Sequence, residues 1–264
     1  MAVDAERLAA FAREAGLAGP SIVLERLGGA PGAGIAGELR LDPAAERYPA
    51  SMIKTPIAAC LADAWARGER APDERVTVAA ANLTANDKPS PFVPGYEATL
   101  EELARLAIVR SDNVATNVLI DVLGRAAITA FCRRSGLERT SVHRKLSGSL
   151  PLIEDAEASG RNSHPACDAA ALFGAIERRE IPGSAWLESL LAEQEWNDKL
   201  SLGLRPGDRF AHKTGDTDEV SHDGGILATA EGRRYLIVVY TSLPSSPEAD
   251  ARFGAFMRAL RALL

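Results

Sequence analysis

Three short groups of polar residues could do chemistry together. The first is Ser51-Met52-Ile53-Lys54. A serine and a lysine three apart at a helix start share a face, about one turn from each other. A serine hydroxyl is a poor nucleophile until a base takes its proton. A lysine held in a desolvated, electropositive site can be neutral and serve as that base. First-turn N–H groups also favour developing negative charge. The second group is Ser111-Asp112-Asn113, at a break between two helical runs. Its hydroxyl could relay a proton and its amide could hold a substrate carbonyl, although the same residue types are preferred helix caps. The third is Lys213-Thr214-Gly215, at the end of an expected strand. Lysine and threonine could bind a carboxylate, and glycine lets a substrate backbone lie close to a strand edge. A strand end entering a turn has the same composition.

The elements that must position these groups follow from periodicity. Residues 4–16 put Leu8, Phe11, Ala12 and Ala15 on one face, which predicts an amphipathic helix stopped by Gly16 and Gly19-Pro20. Ser21–Leu27 and Gly34–Leu41 read as a β-hairpin around a Gly28–Gly32 turn. That turn lacks the Lys-Ser/Thr ending and strand–helix context of a phosphate loop. After Ser51 the pattern turns helical. Ile53–Ala66 is alanine-rich, and Thr99-Leu100-Glu101-Glu102 is a capping box opening a helix through Val109. Further helices are expected over Asn113–Leu123, Pro165–Arg178 and Ser184–Trp196. Strands are expected at Arg209–Lys213, Gly225–Ala230 and Tyr235–Thr241, then a last helix over Glu248–Leu264. The pattern predicts one α/β (α+β) domain over 1–264. An antiparallel sheet from both chain termini, about 1–50 and 197–264, is flanked by helices, and an all-helical lobe, about 51–196, is inserted between. A cleft between the lobes is where a substrate would sit.

Bulk properties narrow the function classes. The chain has 264 residues, 46% hydrophobic and 25% charged, with a formal net charge of −6. It has no block of like charge, which argues against nucleic acid as a partner. Cys60, Cys132 and Cys167 are odd in number and widely spaced, fitting neither a disulfide framework nor a zinc site. They read as small apolar residues in a reducing compartment. No run of about 20 apolar residues suggests a membrane span. The first residues, Met1-Ala2-Val3-Asp4-Ala5-Glu6-Arg7, do not resemble a signal peptide. The expectation is a cytoplasmic protein, or a chain whose leader has been removed. Only Lys54, Lys88, Lys145, Lys199 and Lys213 are lysines, so two of a sparse residue type fall inside the motifs.

In this order, the three groups resemble the signature of class A β-lactamases and penicillin-binding proteins. The likeness extends over Leu100–Gly124, including Arg110-Ser111-Asp112-Asn113-Val114-Ala115-Thr116-Asn117. It continues in Ala211-His212-Lys213-Thr214-Gly215 and His222-Asp223-Gly224-Gly225, and covers about residues 20–264. The resemblance implies the β-lactamase-like fold and a serine hydrolase acting on a small-molecule amide, ester or lactam, without metal or organic cofactor. It implies that Ser51 is acylated, that Lys54 is its base or proton shuttle, and that Ser111 passes a proton to the leaving nitrogen with Lys213 tuning it. Asn113 would bind a substrate amide and Thr214 a substrate carboxylate, beside Gly215. The N–H groups of Ser51 and Asp216 would form the oxyanion hole.

Two departures bear on mechanism. Class A β-lactamases carry a Glu-x-x-Leu-Asn segment whose glutamate activates the water that clears the acyl-enzyme. Residues 140–165 contain no such segment, and counting back from Pro165 puts Gly148 near that glutamate's place. Glu154, Asp155 and Glu157 lie nearby, either as a replacement base or as a solvated acidic loop. The arginine many class A enzymes use for a substrate carboxylate is also missing. His222-Asp223-Gly224 falls in that region, and His222 reads equally as a substrate contact, titrating near neutral pH, or as a structural turn histidine. His212 should point away from the cleft, because strand neighbours alternate faces. Alternatives to a hydrolase are a peptidase or acyltransferase with slow deacylation, and a non-catalytic binding protein on the same fold.

Overall fold

The apolar runs of both chain ends meet in one five-stranded antiparallel sheet in the computed structural model, which describes residues 3–28, 35 and 37–264. Its strands are β1 (Ser21–Leu27), β2 (Glu38–Leu41), β5 (Arg209–Asp216), β6 (Ser221–Ala228) and β7 (Arg234–Tyr240), in the order β2-β1-β7-β6-β5. Ile22 stands opposite Leu41, so the first two strands pair antiparallel as expected. Residues 29–32 of their glycine-rich turn lie outside the described residues. Period-two alternation divides the sheet's side chains between two cores. Ile22, Leu24, Ile237 and Val239 pack with α1 (Ala5–Glu14) and α8 (Pro247–Arg261). Val23, Leu236, Val238 and Tyr240 face the inserted helices.

Those helices are α2 (Lys54–Ala66), α3 (Leu100–Val109), α4 (Asn113–Leu123), α5 (Arg125–Arg134), α6 (Ala166–Glu177) and α7 (Ser184–Ala192). Helix α2 is buried on nearly every side from Lys54 to Ala62, which fits an all-round apolar sequence at a domain centre. Thr99 accepts the Glu102 N–H and caps α3 as predicted, but Glu102 takes the Tyr96 hydroxyl instead of closing a reciprocal box. Asp112 accepts the Ala115 N–H at 2.8 Å and caps α4. The inserted region also holds a small sheet of β3 (Arg75–Thr77) and β4 (Glu97–Thr99). Three residues are too few for alternation to be visible in sequence. Helix α5 was hidden by Gly124. At φ +81° this glycine ends α4 and immediately starts the next helix.

Strand β5 runs three residues further than its sequence pattern suggests. Pairing with β6 continues to Asp216 opposite Ser221, and Thr217 N–H then donates to Val220 at 2.9 Å to close the hairpin. Lys213-Thr214-Gly215 therefore lies within a strand, not at its end. Because β5 is an edge strand, one side of it is open toward the inserted helices.

Candidate active site

Three elements converge where β5 passes the start of α2. Ser51 sits in a short 3-10 turn, Ala50–Ile53, that leads into Lys54 at the head of α2. Ala50 has φ +47° and Ser111 has φ +60°. Left-handed backbone at two non-glycine residues is strain that the surrounding packing must hold, and such strain gathers at functional sites. Gly215 makes the approach of β5 possible. A Cβ there would lie 3.1 Å from both the Met52 nitrogen and the Pro49 oxygen.

The two motif lysines meet at one hydroxyl. Lys54 Nζ donates to Ser111 Oγ at 3.0 Å, to Asn113 Oδ1 at 2.7 Å and to the Ser111 carbonyl. Lys213 Nζ donates to Ser111 Oγ at 3.0 Å and to the Thr214 carbonyl at 2.9 Å. Ser111 thus receives two N–H donors, which leaves its own proton free to point outward. Both lysines are buried. Burial, then the neighbouring Lys213 charge, pushes Lys54 well below the ordinary lysine range. Its three acceptors favour the ammonium form, but they are neutral oxygens and do not offset complete burial beside a second cation. Burial brings Lys213 down to about 7, against the opposing pull of Asp216. Ser51 is half-buried, and among the described residues its hydroxyl makes no hydrogen bond. In the free protein Lys54 is engaged by Ser111 and Asn113, and its contact with Ser51 remains to be made.

The backbone of β5 completes the open side. Ser221 gives its carbonyl to Thr241 on the far strand, and Thr217 closes the hairpin with Val220. The Asp216–Ser221 pair between them is a non-hydrogen-bonded pair of the ladder. The Asp216 N–H consequently points away from β6, to the open edge beside the Ser51 turn. Thr214 and Asp216 share the face of His212, opposite Lys213. His212 does turn away from the lysines, its Nδ1 lying 2.7 Å from Asp223 Oδ1.

A second layer fixes Asn113. Its N–H donates to Asn86 Oδ1 at 2.6 Å, and its Nδ2 donates to the Ala85 carbonyl at 2.9 Å. Gly148 N–H donates to Thr84 Oγ1 at 2.9 Å. A Cβ on Gly148 would lie 1.8 Å from the Ala85 oxygen and 3.0 Å from Asn113 Nδ2. The place that resembles the family's glutamate position is thus a backbone contact with no room for a side chain. Asn117, one turn after Asn113, is fully buried and bonds both the N–H and the carbonyl of Leu146. The sequence pattern did not single out Asn86 or Asn117. A lone amide inside the apolar run of α4 was the available signal for Asn117.

Other candidates are elsewhere. Asp155 and Glu157 are both ion-paired to Arg125, and Asp155 also accepts the Lys145 N–H at 2.7 Å. They hold the 145–160 loop to α5 and are not free bases at the site. Glu154 is exposed. His222 is wholly buried and stacks on Tyr240 at 4.0 Å. Its Nε2 lies 2.9 Å from the Tyr48 carbonyl and its Nδ1 2.7 Å from the Ser221 carbonyl. Burial takes it down to about 4, so of its two readings the structural one holds. Among the described residues no group of three or more His, Cys, Asp or Glu side chains could hold a metal ion.

Comparison with known proteins agrees with this fold. The profile described as "Beta-lactamase enzyme family" matches residues 6–262. Beta-lactamase L2 of Stenotrophomonas maltophilia is 29% identical over 202 residues, which span 74% of this chain and 66% of that protein, just under two thirds of its length. Among solved structures, PBP-A is 25% identical with a TM-score of 0.82, covering 97% of this chain and 94% of its own. A beta-lactamase from Sphaerobacter thermophilus is 26% identical with a TM-score of 0.80, covering 97% and 96%. A PBP-A mutant solved as an acyl-enzyme complex with penicillin G shares the fold at 24% identity, with a TM-score of 0.82 over 97% and 94% of the two chains.

Proposed function

Since this chain belongs to the beta-lactamase enzyme family, we propose that it is a serine hydrolase that works through an acyl-enzyme on Ser51. The observation that carries this is the meeting of Lys54 and Lys213 on Ser111 Oγ, each at 3.0 Å. In its neutral form Lys54 takes the Ser51 proton, and Ser51 Oγ attacks the carbonyl of an amide, ester or lactam. The Ser51 and Asp216 N–H groups stabilise the oxyanion. Collapse breaks the bond to the leaving atom, which takes the Ser111 proton, and Ser111 is reprotonated from the lysine pair. Asn113 orients the acyl amide.

Release is the slower step. Hydrolysis needs a water held beside a base. At the place that resembles the family's glutamate position, Gly148 lies against Ala85. Asp155 and Glu157 are taken by Arg125. This favours, as a second reading, a penicillin-binding-type peptidase or acyltransferase with a long-lived adduct. Incubation with a chromogenic cephalosporin, followed by intact-mass analysis, tests both. The first reading expects turnover with a transient adduct, the second a stable adduct with little turnover. Neither turnover nor adduct, with ester probes also silent, contradicts the function.

A further inference from the structure

The residue whose N–H faces the Ser51 turn has little backbone to hold it. Asp216 is the last paired residue of β5, which is an edge strand. Its ladder partner is Ser221, and in a non-hydrogen-bonded pair neither backbone bonds the other. The turn closed by Thr217 and Val220 starts at the next residue. The Asp216 carboxylate supplies what the ladder does not. One of its oxygens accepts Ser221 Oγ at 2.9 Å, directly across the pair, and the other accepts Lys199 Nζ at 2.7 Å. Both donors are buried and so shielded from water.

Lys199 is itself anchored. It stands just ahead of a 3-10 turn, Leu200–Gly203, and its carbonyl accepts the Leu202 N–H at 3.0 Å. The next residue, Leu200, donates its N–H to Asp223 Oδ2 on β6 at 3.0 Å. The Lys199 ammonium also lies 3.3 Å from Asp250 Oδ1, in the first turn of α8, and 3.8 Å from Asp198. Against its burial, Asp216, then Asp198 and Asp250, lift Lys199 above the ordinary lysine range, so it stays charged where Lys213 titrates. This bridge ties the end of β5 to α8, on the face of the sheet away from Lys213. On the other face Gly215 is pressed against the Ser51 turn, within reach of the Met52 nitrogen and the Pro49 oxygen.

From this bridge we propose that Lys199 is a positioning residue: through the Asp216 carboxylate it fixes the Asp216 N–H in the oxyanion hole. A donor aimed at a developing oxyanion works only while its place is held to within about 0.5 Å. Lys199 does this from the α8 side without touching substrate. This role rests on the acyl-enzyme reading of Ser51 and adds to it a residue that lies outside all three motifs.

The phenyl ester of N-phenylacetylglycine and its thionoester differ only in the atom that becomes the anion. The test follows acylation of the whole protein by each with intact-mass spectrometry at about pH 6, below the Lys213 transition. Each rate is divided by the compound's own alkaline hydrolysis rate. Sulfur is larger than oxygen and a weaker acceptor, so a hole set for oxygen should make the wild type prefer the ester. Lys199→Met should slow the ester at least about tenfold and the thionoester less, narrowing that preference, and Lys199→Arg should restore most of it. A general loss of packing would lower both rates together. Asp216→Ala should also narrow the preference, and Lys199→Met added to it should change nothing further. An unchanged ester-to-thionoester ratio in a folded Lys199→Met protein overturns the role. So does an unchanged ratio in Asp216→Ala, where Lys199 keeps Asp250 and Asp198 and folding does not hang on the bridge. If neither compound labels Ser51, while the wild type melts cooperatively, the acyl-enzyme reading itself falls and the role of Lys199 falls with it.

Discussion

Lys54 and Lys213 set the pH range in which the site can react. Lys54 must lose a proton to act as a base, and burial makes that loss easy well below the ordinary lysine range. Lys213, at about 7, must keep its proton to polarise Ser111. The acylation rate should therefore fall as pH rises through about 7. Lys213→Arg, which stays charged, should move that fall to much higher pH. A pH profile of acylation for both proteins checks this, and a falling limb left near neutrality in the variant would remove Lys213 from the role. The four residues of this hub were legible in sequence because their types and order are unusual together. His222 and Asp155 were not. What decides them is Tyr48 and Arg125, 174 and 30 residues away in the chain.

At the scale of elements, the cleft depends on two close backbone approaches and one buried amide. Gly148→Glu should not create a hydrolytic base. Its Cβ would strike the Ala85 oxygen, so the variant should melt several degrees lower and its adduct should decay no faster. Faster decay would show that the 145–150 loop can shift to admit a base. Asn117→Ala removes the partner of both backbone groups of Leu146 and should cost roughly 2–4 kcal/mol in urea unfolding. Helices with strong periodicity, such as α4 over Asn113–Leu123, were fully legible. The three-residue strands β3 and β4 carry too little pattern to read. The end of β5 was obscured because its glycine and aspartate resemble a turn, and only pairing with β6 extends the strand to Asp216.

For the molecule as a whole, buried titratable groups predict an acid-labile fold. Burial holds His164 at about 3 and His222 at about 4, against an ordinary 6.5. Between those values the unfolded chain binds more protons than the folded one, so stability is complete above about pH 6.5 and falls as pH drops. Each histidine should cost roughly 3 kcal/mol by about pH 4. Asp208, held at about 2 mainly by Arg261 despite its burial, adds a loss in the same direction below its ordinary 3.8. Urea midpoints measured from pH 7 to about pH 4 check the histidine loss and their continuation to about pH 3 the Asp208 loss, and His222→Gln should make the slope between about pH 6 and pH 4 shallower. The antiparallel sheet built from both chain ends was legible because both carry strand patterns and the middle carries helical ones. Which residues would end in charged pairs across the interior was not, since those pairs are set by the tertiary fold. The most direct test of the central claim is the site and stoichiometry of acylation. Mass analysis and peptide mapping after exposure to penicillin methyl ester should find one whole ligand per chain, on Ser51 and absent from Ser51→Ala. A ligand bound at another residue, or retained in Ser51→Ala, would contradict it.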